Sequence, residues 1–270
     1  MDSKNTAVAI SIKKLTRCFN SFTAVSAIDF DIAQGITFGL LGSNGAGKTT
    51  TIKMLTTLLQ PSSGTATVGG HDIITSPQAV RENIGYIPQL FSADAELSGY
   101  ENLLMSAKLY GIRSSERKSR IAQVLEFMGL SEFANRLVRD YSGGMIRKLE
   151  IAQAILHKPK VLFMDEPTTG LDPVARRLVW KHIQELHRDL HTTIILTTHD
   201  MEEADHLCSM LGFMSRGKIR ALGSPAELKK AVGNNATLND VFIHFTGSTI
   251  SDEDTYDNTR QMRQILNARN

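Results

Sequence analysis

The chain has 270 residues, enough for one large domain or two modest ones around an ample core. Thirty Lys and Arg against 28 Asp and Glu leave a net charge of +2, which gives no support for a protein held to nucleic acid by a broad basic face. Cys18 and Cys208 are the two cysteines, far apart and without a CxxC pattern, which argues against a zinc site or disulfide framework and for a reducing compartment. No apolar stretch resembling a signal peptide precedes Lys13. Nor is there any uncharged run of roughly 18 apolar residues, so another polypeptide would have to supply the spans in any membrane process.

Taken in order, residues 8–12 and 27–32 alternate apolar and polar side chains and predict half-exposed antiparallel strands, as does the short β-branched run 65–68. Segments 36–41, 161–165 and 193–197 are almost continuously apolar or β-branched, the pattern of parallel strands covered on both faces. Helical periodicity marks 50–59, 100–110, 119–128 and 144–157. The basic stretch 113–120 is interrupted by Ser114, Ser115 and Glu116, so it reads as a solvated helix start rather than a lipid-headgroup patch. After His199 the order is helix 201–207, strand 210–214, a turn at Arg216 and Gly217, and strand 218–221. Ser224-Pro-Ala-Glu227 and Thr237-Leu-Asn-Asp240 each open a helix by capping-box logic. From Thr246 the sequence turns polar, and 246–270 is expected to be a loosely ordered tail behind a single domain spanning 1–245.

Between strand 36–41 and helix 50–59 lies Gly42-Ser43-Asn44-Gly45-Ala46-Gly47-Lys48-Thr49-Thr50, a phosphate-loop pattern in the strand–loop–helix context it needs. Its glycines let the backbone turn tightly and bring N–H groups against phosphates, and the following helix N-terminus adds partial positive charge. Lys48 can reach β- and γ-phosphates, and the Thr49 hydroxyl can ligate Mg²⁺. The apolar strand Val161–Asp165 brings Asp165 to the edge where it can hold the Mg²⁺ shell. Glu166 follows, placed to orient or deprotonate a water attacking the γ-phosphorus. Ser142-Gly143-Gly144 opens another helix and makes a second anion-binding N-terminus.

Six motifs in order give the chain a resemblance to the ATP-binding cassette (ABC) ATPases over about residues 10–245. Gly42 to Thr50 resembles the Walker A motif, Gln89 the Q-loop glutamine, and Ser142-Gly143-Gly144 the signature motif. The segment from Val161 to Glu166 resembles Walker B, Gly170-Leu-Asp172 the D-loop, and His199 the switch histidine. Phe19 falls where the family stacks an aromatic ring on adenine.

The resemblance implies an α/β P-loop NTPase. It would have a RecA-like core with a mainly parallel sheet, an antiparallel β subdomain, and an inserted helical subdomain over about 91–158. ATP and Mg²⁺ are the implied ligands, with Thr49, Gln89 and Asp165 on the metal. Glu166, Gln89 and His199 would serve hydrolysis, and a head-to-tail homodimer would hold two ATP molecules between Walker A and signature loops. The family has Leu and Gln where this chain has Tyr141 and Met145, and Tyr-Ser-Gly-Gly-Met is similar to the daunorubicin-resistance type.

That similarity implies the ATPase of an ABC-2 type exporter, docked through its permease on the cytoplasmic face of the membrane. An importer ATPase is one alternative. The other is a soluble cassette protein acting on ribosomes or DNA, which a single cassette with a short insertion does not favour. Leu90, Phe91, Leu97 and Tyr100 fall where the family receives a permease helix, in a groove between core and insertion.

Overall fold

The computed structural model describes residues 7–247. The first two strands, β1 (Val8–Phe19) and β2 (Phe22–Ala33), form a long hairpin. Both run well beyond the alternating segments, because register shifts between Ile12 and Leu15 break the two-residue period without ending the pairing. Next come β3 (Thr37–Leu41), α1 (Lys48–Leu55), β4 (Ser63–Val68) and the short β5 (His71–Asp72). Strands β2-β1-β4-β5, in that order, make a four-stranded antiparallel sheet.

α2 (Pro77–Asn83) leads directly into β6 (Ile84–Ile87). Three α-helices then intervene before the next strand: α3 (Gly99–Leu109), α4 (Ser114–Phe127) and α5 (Gly143–Ile155). α4 starts at Ser114, earlier than its apolar periodicity, on a polar first turn where Glu116 and Arg120 pair at 2.8 Å. β7 (Val161–Asp165), α6 (Pro173–Leu190), β8 (Thr193–Thr198), α7 (Met201–Leu207) and β9 (Met210–Ser215) restore strand–helix alternation. β10 (Lys218–Gly223) turns back on β9, and α8 (Pro225–Val232) and α9 (Leu238–Thr246) follow, both with the capping boxes read from sequence. Beyond Gly247 the expected tail lies outside the described residues.

The second sheet runs β10-β9-β3-β8-β7-β6, parallel throughout except for β10. Its central strands are apolar on both faces because each face has its own core. Phe38, Leu40, Val161, Phe163 and Ile195 face the antiparallel sheet and α1, packing with Ile10, Ile12, Leu15 and Ile52. Leu41, Leu162, Met164, Ile194 and Leu196 face the opposite way, toward Leu149, Val179, Trp180 and Ala204 of the helices. This is the α/β arrangement expected from the sequence. Parallel strands of this kind end together at one edge, and the loops leaving that edge carry the site.

Candidate active site

The phosphate loop leaves β3 at Gly42 and enters α1 at Lys48. Gly47 has φ 109, and a side chain there would put its Cβ 2.5 Å from the Ala24 carbonyl oxygen and 2.8 Å from Met214 Cε. Only glycine fits this approach. The far side of the loop is braced by the β9–β10 turn. There Gly217 N donates to Ala46 O at 2.9 Å, and Ser26 N of β2 donates to Gly217 O at 2.8 Å. Ser43 and Ala46 are buried within the loop, Asn44 and Gly45 form its exposed tip, and Thr49 and Thr50 lie half-buried on the first turn of α1.

Lys48 curls back along the loop, its Nζ donating to Gly42 O at 2.7 Å and Ser43 O at 3.0 Å. It also lies 3.4 Å from Glu166 Oε1. Asp165 ends β7 with Oδ1 accepting from Thr49 Oγ1 at 3.1 Å and from Thr197 Oγ1 at 2.5 Å. Glu166 is in the left-handed region (φ 49), with its N–H held by the carbonyl and hydroxyl of Thr197 at 3.1 and 3.0 Å. This backbone twist aims its carboxylate at the loop mouth. Gln89 Nε2 and Thr169 Oγ1 both donate to Glu166 Oε2 at 3.1 Å, and His199 Nδ1 lies 3.3 Å from the same oxygen. Lys48, Gln89 and His199, widely separated in sequence, thus meet on one carboxylate.

Burial alone would raise the Glu166 carboxyl. The His199 hydrogen bond, the Lys48 charge, the His199 charge and the Thr169 hydroxyl outweigh it and bring the group down to about 2. It is ionised at neutral pH.

The remaining sequence-picked residues form separate groups. Ser142 caps α5, its Oγ accepting from Met145 N at 3.3 Å. A Cβ on Gly143 would touch Leu171 and Phe91, and one on Gly144 would lie 2.9 Å from Ala175 Cβ. Asp172 caps α6, accepting from Val174 N and Ala175 N at 2.9 and 3.0 Å. Phe19 ends β1 partly exposed, with the Arg17 guanidinium 4.6 Å over its ring. Tyr141, in the position where the family has Leu, donates its hydroxyl to Phe133 O at 2.7 Å and packs against Gly99, fixing the start of α5 to the base of α3.

Thr49, Asp165 and Gln89 fit a Mg²⁺ ion by donor chemistry. A hydroxyl, a carboxylate and a carboxamide oxygen are the hard donors this cation takes, and the first two already stand 3.1 Å apart. Sequence reasoning missed Thr197 and Thr169. Thr197 was legible only as context for His199, because a threonine ending a buried strand is ordinary until the β7–β8 register places it beside Asp165.

The strand–loop–helix, the paired acids and the parallel sheet define a P-loop nucleoside triphosphatase. A family model described as ABC transporter matches residues 25–169. The daunorubicin/doxorubicin resistance ATP-binding protein DrrA of Streptomyces peucetius is 43% identical over 227 residues, spanning 84% of this chain and 68% of that one. The linearmycin resistance ATP-binding protein LnrL of Bacillus subtilis (strain 168) is 37% identical over 243 residues, 90% of this chain and 76% of its own. A solved ATP binding subunit of an ABC transporter superposes with a TM-score of 0.78 at 27% identity, covering 88% of this chain and 99% of that one. The chain belongs to the ABC transporter family. It carries the ATPase fold of that family, and resistance-type ATP-binding proteins are among its relatives, as the Tyr-Ser-Gly-Gly-Met segment led us to expect.

Proposed function

We propose that this chain is the ATP-hydrolysing, energy-coupling subunit of an ABC-2 type membrane exporter for drug, antibiotic or lipid-like molecules. The observation that carries this reading is the convergence of Lys48, Gln89 and His199 on Glu166, beside the Thr49–Asp165 pair at the mouth of the phosphate loop. The resistance proteins among its relatives support the export branch over an importer or a soluble cassette protein.

In this reading residues 1–245 act as one ATP-binding domain, with 91–158 as its helical insertion. Glu166, held ionised, accepts the proton of the attacking water. Gln89 orients that water, and His199 holds the γ-phosphate through its imidazole. Gly42, Ser43, Asn44, Gly45, Ala46, Gly47 and Thr50 offer backbone N–H groups to the phosphates, Lys48 offers a point charge, and Phe19 offers its ring to adenine. Thr49, Asp165 and Gln89 hold Mg²⁺, which when bound neutralises charge on the β- and γ-phosphates.

Ser142, Gly143, Gly144 and Asp172 reach the nucleotide of a second copy in a head-to-tail dimer. Among the described residues no helix is long and apolar enough to cross a membrane. The resistance ATP-binding proteins among its relatives support a reading in which a permease supplies the spans and the chain works at the cytoplasmic membrane face, coupling hydrolysis to translocation. The test is purification of the tagged chain from membranes. A multi-span permease should co-purify, with MgATP hydrolysis that Lys48→Ala abolishes. Ordinary turnover in Lys48→Ala, or a chain that leaves no partner in the membrane fraction, refutes the reading.

A further inference from the structure

Arg147 and Glu150, one turn apart on α5, are both buried and pair at 2.9 Å. The guanidinium does more than neutralise its neighbour. Nη1 also donates to Pro88 O and Nη2 to Gln89 O, each at 2.8 Å, and the guanidinium plane lies 5.0 Å from the Phe91 ring centre. Glu150 Oε1 in turn accepts from the backbone N–H of Ser92 and from its hydroxyl, the latter at 3.0 Å. Two side chains of one helix therefore hold Pro88, Gln89, Phe91 and Ser92, while Leu90 between them is 81% exposed.

Burying two charges is costly, and apolar side chains of similar volume would hold α5 to its neighbours at least as well. What the charged pair adds is direction. A planar fork fixes two successive carbonyls in a way no apolar contact does. One of those carbonyls belongs to Gln89, whose side chain reaches Glu166. The same helix begins at Ser142.

We propose that Arg147 and Glu150 are positioning residues that lock the Gln89 loop to α5, so that the Gln89 amide and the Ser142–Gly144 loop move as one body. The consequence rests on the function proposed above. Gln89 serves the nucleotide bound by its own chain, whereas Ser142 serves the nucleotide of the second copy. The clamp therefore ties the two sites of the dimer together through each subunit.

The test uses the full chain with the double substitution Arg147→Met/Glu150→Leu, which removes both charges of the pair together with the acceptor that holds the Ser92 amide. Amide hydrogen exchange without nucleotide is the first readout. Exchange at the Ser92 amide, which Glu150 holds, should quicken at least about tenfold while β7 and α1 stay protected. ATPase kinetics are the second. The double variant should lose about 10–100-fold in kcat with KM within about threefold, and adding it to Gln89→Ala should cost less than about threefold more, since both act through one side chain.

Unchanged exchange at Ser92 overturns the clamp. So does faster exchange across the whole chain with lost nucleotide binding, which marks a plain core pair. Additive kcat losses overturn the route through Gln89. The exchange measurement needs no hydrolysis, so it decides the clamp even if Lys48→Ala were to refute the ATPase reading.

Discussion

Thr197 stands opposite Asp165 in the parallel register of β8 and β7, and its single hydroxyl donates to Asp165 Oδ1 while accepting the Glu166 amide. One oxygen thus aims both acids of the site. Thr197→Val keeps the shape and removes the hydroxyl, so Asp165 Oδ1 is left with the Thr49 hydroxyl alone and the Glu166 N–H with the Thr197 carbonyl alone. The expected cost is about 1–3 kcal/mol of stability, read from urea unfolding, together with a lower kcat. Wild-type stability in this variant would mean that the hydroxyl is dispensable.

Glu166→Gln should bind MgATP normally and hydrolyse it about 10²–10⁴-fold more slowly, because the shape remains while the proposed proton acceptor is gone. Size-exclusion chromatography with MgATP should then show a stabilised dimer. A monomer with confirmed nucleotide binding would count against the paired arrangement.

The Glu166 carboxyl also sets an acid dependence. Its ordinary value of 4.5 falls to about 2 in the folded chain, where burial is outweighed by His199, Lys48 and Thr169. A group depressed on folding stabilises the fold fully above its unfolded value and loses that contribution as pH falls through the folded one. Between about pH 5 and pH 2 the wild type should therefore lose about 2–3 kcal/mol from this group, a loss that Glu166→Gln does not share. Parallel acid titrations of unfolding free energy for the two proteins measure it. Equal slopes would show that the surrounding cations do not depress the carboxyl.

Phe91 and Tyr100 separate once the structure is known. Phe91 is 47% exposed over the Arg147 guanidinium, whereas Tyr100 is partly buried against the helical core. Phe91→Ala should keep the fold to within about 1 kcal/mol and reduce permease co-purification or uncouple transport. Tyr100→Ala should lose about 1–3 kcal/mol of stability whatever happens at the membrane. If Phe91→Ala retains full coupling, the permease docks elsewhere.

Much of this was legible in the sequence where chemistry is local. The phosphate loop, the acids at the end of β7 and the two late capping boxes each fit within a few residues, so pattern and structure coincide. What escaped depends on pairing between distant segments. β6 is four residues long with a glycine inside it, and only its register with β7 makes it a strand. α6 is the longest helix described, yet Val174 and Leu178 are exposed near its start and blur its apolar stripe. In the sequence Arg147 is one charge among several on a helix, and nothing local shows that the carbonyls of Pro88 and Gln89 lie within its reach.

The brace behind the phosphate loop has a genetic consequence. Gly217 has φ 73, and a Cβ there would sit 2.8 Å from Ala24 O, the same carbonyl that excludes a side chain from Gly47. Strand β2 thus presses on two glycines at once, one in the loop and one in the turn that props it through Ala46. A bulkier residue at 217 cannot be absorbed at the surface and must push on the loop. In a loss-of-function screen, position 217 should therefore sort with the nucleotide pocket, although nothing in its own neighbourhood of sequence marks it as more than a hairpin turn.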